Sequence, residues 1–150
     1  MKKRLLSILT TLALCLTLLP TAVWAASTPK NLTFDISEGP VTITDGTTAG
    51  MIQVEYGAGQ STGDINPSNT ITVTGRTENK NHGLVIKTTT PVTVKTDDLY
   101  IDNSGVEFAY AMSLDYIGAS ATMILSGHNY FAGGRDKAGI MVHENASLTI

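Results

Sequence analysis

The chain writes one phrase twice. HGLVIKTTTPVTV, positions 82–94, superimposes without a gap on AGIMVHENASLTI, positions 138–150, with Gly83 on Gly139, Leu84 on Ile140, Ile86 on Val142, Val92 on Leu148 and Val94 on Ile150, every pair at the same interval of 56. Halfway between them, AMSLDYIGASATMI puts Met112 and Leu114 at an interval of 28 from Leu84 and Ile86, and Thr122 and Ile124 at an interval of 30 from Val92 and Val94. The unit is therefore about 28 residues long, a period of the kind that repeat architectures show, and it occurs three times. A third apolar piece accompanies each unit: ITV at 71–73, LYI at 99–101 and NYF at 129–131.

Three short alternating strands in a unit of this length predict an all-β fold, a right-handed parallel β-helix with one coil per repeat. Alternation sends Leu84, Ile86, Val92, Val94, Leu99 and Ile101 inward and their neighbours outward. No coil can bury its apolar face alone, so coils stack like on like, about 4.8 Å apart. A β-sandwich also consists of short strands between Gly, Asn and Asp turns, but it does not predict a gapless self-match, and its hairpins want shorter connections than these. Ahead of the regular coils, NLTFDISEGPVTITDG alternates through Leu32, Phe34, Ile36, Val41 and Ile43. Residues 26–60 are expected to form a cap and an irregular first coil, covering an edge that would otherwise recruit other chains, and 61–150 the coils. The sequence reaches Ile150 on an apolar strand position, which predicts a fragment of a longer protein.

The first residues belong to export rather than to the fold. Lys2, Lys3 and Arg4 lead into an apolar run from Leu5 to Leu19, then Pro20, Val23 and Ala25, a secretory signal cut after Ala25. The run is shorter than the roughly 20 residues a membrane span needs. The lone Cys15 lies inside this segment, so the mature chain has no disulfide, thiolate metal site or Cys nucleophile. Removing residues 1–25 takes away three of the ten basic side chains and none of the thirteen acids, leaving seven bases against thirteen acids, a net charge of −6. Without clustered Lys and Arg, nucleic acid is not an expected partner. A monomer is expected.

The segments NLTFDISEGPVTITDG, TPVTVKTDDLYIDN and MILSGHNYFAGGRDKAGIMVHENASLTI resemble the secreted clostridial-type β-helix proteins known as carbohydrate-binding domain-containing proteins. In these, a "GxxTI", a "LsGxNxl" and an "AGIxVxxxAxLtI" segment recur; the last two correspond to Leu125–Phe131 and Ala138–Ile150. The resemblance implies a non-catalytic secreted or cell-surface protein that binds polysaccharide, including acidic sugars held with calcium.

Tyr100 and Tyr130, separated by an interval of 30, share one outward position and should stack on adjacent coils as a sugar platform. A ring offers an apolar plane to a pyranose and its hydroxyl a hydrogen bond, although stacked tyrosines also simply stabilise a sheet. Asp97, Asp98 and Asp102, with Asn103 beside them, supply oxygens of the kind Ca²⁺ takes, while their spacing matches no standard calcium loop and suits a solvated turn better. Lys87, Asp115 and His143 recur at intervals of 28 and should form an outward column that supports register. His82 and His128 fall elsewhere in the coil, which speaks against a zinc site. Asn129 takes the inward position of Leu99 and needs a hydrogen-bond partner on a neighbouring coil. Catalysis is not expected. The enzymatic alternative resembles a pectate lyase with Arg135 as base, and the third alternative is a structural or adhesin stalk.

Overall fold

The computed structural model describes residues 32–150; the signal segment read at 1–25 and the first residues of the cap, 26–31, lie outside the described residues. The strands in chain order are β1 (Leu32–Asp35), β2 (Val41–Asp45), β3 (Ile52–Tyr56), β4 (Gln60–Ser61), β5 (Thr70–Thr77), β6 (Leu84–Lys87), β7 (Val92–Asp102), β8 (Met112–Leu114), β9 (Ser120–Ser126), β10 (Tyr130–Ala132), β11 (Ile140–Val142) and β12 (Ser147–Thr149). The only helical piece among the described residues is a 3-10 turn at Ile36–Glu38. The protein is all-β.

Two sheets share these strands. One runs β1-β5-β7-β9-β12 with β10 also on β7, the other β11-β8-β6-β2-β3-β4. From β5 onward the chain passes back and forth between the sheets, and each return lays a parallel strand beside the one before. Parallel neighbours cannot be joined by a tight hairpin, so each needs a crossover, and the strand in the opposite sheet provides it. Leu84 stands opposite Met112, and Met112 opposite Ile140, which is the repeat interval of the sequence. The inward rows fill the space between the sheets: Val41, Leu84 and Met112 in one, Ile71, Val94 and Met123 in the other, none more than 3% exposed. Outward, Thr70, Thr93, Thr122 and Thr149 occupy one row over four strands, where β-branched residues suit a half-solvated sheet.

The register departs from the sequence reading in two places. Val92 lies opposite Ala121 and Val94 opposite Met123, so Ala121 and Met123 point inward while Thr122 and Ile124 point to solvent. The connection between β8 and β9 holds one residue more than its counterparts, with Gly118 at φ 80 in the turn, and β12 recovers the step because Leu148 lies opposite Ala121. A slip of one residue moves every side chain of a strand to the other face. Further, ITV at 71–73 pairs with Val94–Thr96, not with the LYI face; Arg76 and Thr77 are the residues opposite Tyr100 and Ile101. The units also do not divide into three separate strands. β7 is continuous over 11 residues and β5 over 8, each bent in the middle, and only β9 and β10 are split.

Each passage of the chain through one sheet and the other makes one winding, and the β2 strand of the first is covered by an antiparallel hairpin, β3 on β2 and β4 on β3. The segment behind it closes through Asp64, whose carboxylate accepts from Thr47 N at 2.7 Å, Thr47 Oγ1 at 2.9 Å and Thr48 N at 2.8 Å. Hydrogen bonds from Thr48 and Thr47 hold its pKa at about 2, below the ordinary 3.8.

The register and the Asp64 loop each carry an expected outcome. Met123→Ala costs about 2–5 kcal/mol in urea unfolding, and Ile124→Ala, less than about 1 kcal/mol; the reverse order would restore the sequence register. Because the folded-state pKa of Asp64 is depressed, its contribution is fully present above 3.8 and lost as pH falls through about 2. The stability gap between the wild type and Asp64→Asn therefore closes over that window in acid titration, and a constant gap would contradict the assignment.

Candidate functional site

The outward face beyond the bend in β7 is set by a device that recurs in the stack. Gly75, Asp98 and Gly127 occupy the bend on successive windings, with φ of 92, 48 and 67. The Asp98 carboxylate accepts from His128 N at 2.8 Å and fills the space where a side chain on Gly127 would begin. Two windings earlier, Asp35 accepts from Ser37 N at 2.9 Å and lies against Gly75 in the same way. An aspartate on one winding thus requires glycine on the next, both for its left-handed φ and for room. Past the bend, Leu99 and Asn129 turn inward, and Asn129 Oδ1 accepts from Leu99 N at 3.2 Å while its Nδ2 donates to Ser126 O at 2.8 Å. The asparagine finds its partner on the neighbouring winding, as its position demands.

Arg76, Tyr100 and Tyr130 then project outward in register. The two rings stack with centroids 4.7 Å apart and planes inclined by 16°, and the Arg76 guanidinium lies 3.7 Å from the Tyr100 centroid on the adjacent winding. Cation and ring both lie against Tyr100, which therefore cannot present an open face to a sugar. Tyr130 is 46% exposed. Glu78 and Asp102 flank the column. Arg76 Nη2 donates to Glu78 Oε1 at 2.7 Å, and Tyr100 Oη to Asp102 Oδ2 at 3.2 Å. Desolvation, and then the bond to Asp102, raise the pKa of the Tyr100 phenol; bonds from Ser104 and Tyr100 lower that of Asp102; and the bond to Glu78 raises that of Arg76. An open cavity of about 310 Å³ lies beside the column, lined by Glu78, Asp102, Ser104, Gly105 and Val106. Two carboxylates on neighbouring windings facing such a hollow are placed to accept hydrogen bonds from ligand hydroxyls.

The residues read as calcium ligands do not converge. Asp97 Oδ2 pairs with Lys95 Nζ at 3.1 Å, and its pKa is lowered by Ser126 and then Lys95. Asp98 is spent on the His128 N–H, and Asp102 on Tyr100 and Ser104. Among the described residues, no three Asp, Glu, His or Cys side chains stand close enough to share an ion. A donor set for Ca²⁺, which takes about six to eight oxygens, does not fit here. Lys87 and Asp115 form the expected column at 3.8 Å with His143 next in register, both partners half-exposed, a contact that steadies register and little else. Arg135 pairs with Glu107 at 3.7 Å, in contacts separate from those of Asp97 and Asp98.

One exposed ring carries no signal in the sequence. Phe108, in the connection between β7 and β8, is 71% exposed at φ 60. Its exposure has no signature in VEFAYA, which reads equally well as a buried strand.

Gly127→Ala is expected to cost more than about 1 kcal/mol, from left-handed backbone and from contact with the Asp98 carboxylate. Adding Asp98→Ala removes the contact, so the double variant falls short of the sum of the singles. Strict additivity in urea unfolding would show that the two residues do not interact. Compared with known proteins, the chain matches no family model, no curated protein and no solved structure.

Proposed function

We propose that the chain is an exported right-handed parallel β-helix that binds polysaccharide along an outer face and leaves it intact. The reading of the fold rests on parallel strands added at the repeat interval by a chain that alternates between two sheets. The reading of the function rests on one observation: the Arg76, Tyr100, Tyr130 column flanked by Glu78 and Asp102 beside an open cavity. A glycan lying along the stacking direction meets a new winding about every 4.8 Å and so finds repeated hydroxyl acceptors. Its contacts are to the carboxylates and to the exposed ring and hydroxyl of Tyr130, since Tyr100 is enclosed. This reading assigns no role to calcium, since Asp97, Asp98 and Asp102 each bond to separate partners.

The second reading is a stalk that carries a neighbouring binding tip. The self-satisfaction of the column favours it, because Glu78 pairs with Arg76, and Asp102 with Tyr100. Retention of the full mature chain on cellulose, xylan and polygalacturonate, in calcium and in chelator, separates these readings. Binding with the glycan intact and insensitive to chelator is expected. Tyr130→Ala combined with Asp102→Asn then weakens it about tenfold or more while the protein stays folded with a modestly lower Tm. No retention on any of the three would favour the stalk, loss in chelator would restore calcium, and release of unsaturated sugar would make the protein a lyase.

A further inference from the structure

Among the described residues, four that are not glycine have φ in the left-handed region: Asp98, Phe108, Asp136 and Asn145. Aspartate and asparagine enter that region readily because their short polar side chains bond locally, whereas a bulky ring has no such compensation. Phe108 is also 71% exposed, so burial of its ring does not hold it there. The backbone on either side does. Val106 N donates to Asn103 O at 3.0 Å, Gly134 N to Ala109 O at 2.7 Å and Arg135 N to Val106 O at 2.8 Å. Inside the loop, the buried Asn103 donates through Nδ2 to Tyr110 O at 3.0 Å. The scaffold therefore imposes an unfavourable backbone conformation whose outcome is an aromatic ring held in solvent, a pattern associated with ligand contact.

Lys137, from the loop of the next winding, places its ammonium 5.7 Å from the centroid of Phe108 and 5.3 Å from that of Tyr110. Arg76, Lys87, Lys95 and Arg135 each pair with a carboxylate, whereas Lys80 and Lys137 make no such pair among the described residues, and of these two Lys137 is the one that lies against aromatic rings. The nearby Glu107 is taken by Arg135, and Asp136, next to Lys137 in the chain, forms no ion pair with it. An exposed apolar ring beside a cation that has ring contacts but no carboxylate partner fits a ligand with an apolar face and a single negative charge close to it.

We propose that Phe108, Tyr110 and Lys137 form a subsite for a uronic-acid residue borne as an isolated side group on a neutral polysaccharide. The pyranose C–H face lies on Phe108, and the carboxylate meets Lys137 without a metal. Charge selects isolated acids. The chain carries thirteen Asp and Glu against ten Lys and Arg, three of the latter in the signal segment, so a continuous polyanion is repelled. A single carboxylate seated beside Lys137 is largely screened from charges more than about 8 Å away. This inference rests on the polysaccharide-binding reading and assigns part of its specificity to a second place on the surface.

The test measures affinity of the full mature chain, in chelator, for glucuronic-acid-substituted xylan, for the same xylan after carboxyl reduction, and for polygalacturonate. The acidic xylan is expected to bind about tenfold tighter than its reduced form. Lys137→Gln brings the two affinities together. Phe108→Gly weakens both about tenfold, yet leaves Tm unchanged or higher, because glycine suits a left-handed position. Equal binding of the two xylans by the wild type, tighter binding of polygalacturonate, or unaltered affinity in Phe108→Gly would each overturn the subsite while leaving the wider reading standing. Failure to bind any polysaccharide would overturn both.

Discussion

Hydrogen bonding between parallel strands of successive windings is the constraint on which the rest of this structure depends. It satisfies the backbone of each strand only through its neighbours, and it places each side chain over its counterpart one winding away. The core is buried by the same means. Leu84, fully buried, lies between Val41 and Met112, also fully buried, while Ile140, with Met112 on one side, is only partly covered. Burial is thus a property of the stack rather than of any unit.

The same stacking explains the bend and what lies past it. Asp35 and Asp98 each reach over the next winding and claim the space of a side chain, so Gly75 and Gly127 have no freedom to be anything larger. The bend turns the strand through a fixed angle, and Arg76, Tyr100 and Tyr130 emerge in one column. What steadies the column also limits it. Rings stacked along the axis spend facing sides on each other, which leaves edges, hydroxyls and the carboxylates of Glu78 and Asp102 around the column.

Register stops governing the side chains where stacking ends. The loops at 103–111 and 133–139 interlock through Val106, Ala109, Gly134 and Arg135, and Glu107 and Arg135 make a single bridge between them rather than a continued strand row. Freed from register, Phe108 is presented to solvent and Lys137 is left without a carboxylate. The proposed subsite uses a place where the scaffold stops repeating.

The repeat, its constant interval, the inward rows through Leu84, Ile86, Leu99 and Ile101, and the meeting of Tyr100 with Tyr130 were legible in the sequence, because period-2 alternation and fixed spacing are local properties. The inward turn of Asn129 and the Lys87–Asp115 pairing were legible for the same reason. The register of Ala121 and Met123 was not, since one extra residue in the preceding turn exchanges the two faces and leaves no mark in the alternation. Nor was the pairing of Ile71 with Val94, which depends on a bend within β5. The separate commitments of Asp97, Asp98 and Asp102, and the exposure of Phe108, were decided by tertiary structure alone. A carboxylate's partners and a ring's solvent contact depend on which windings lie above and below, and those neighbours are a full winding away along the chain.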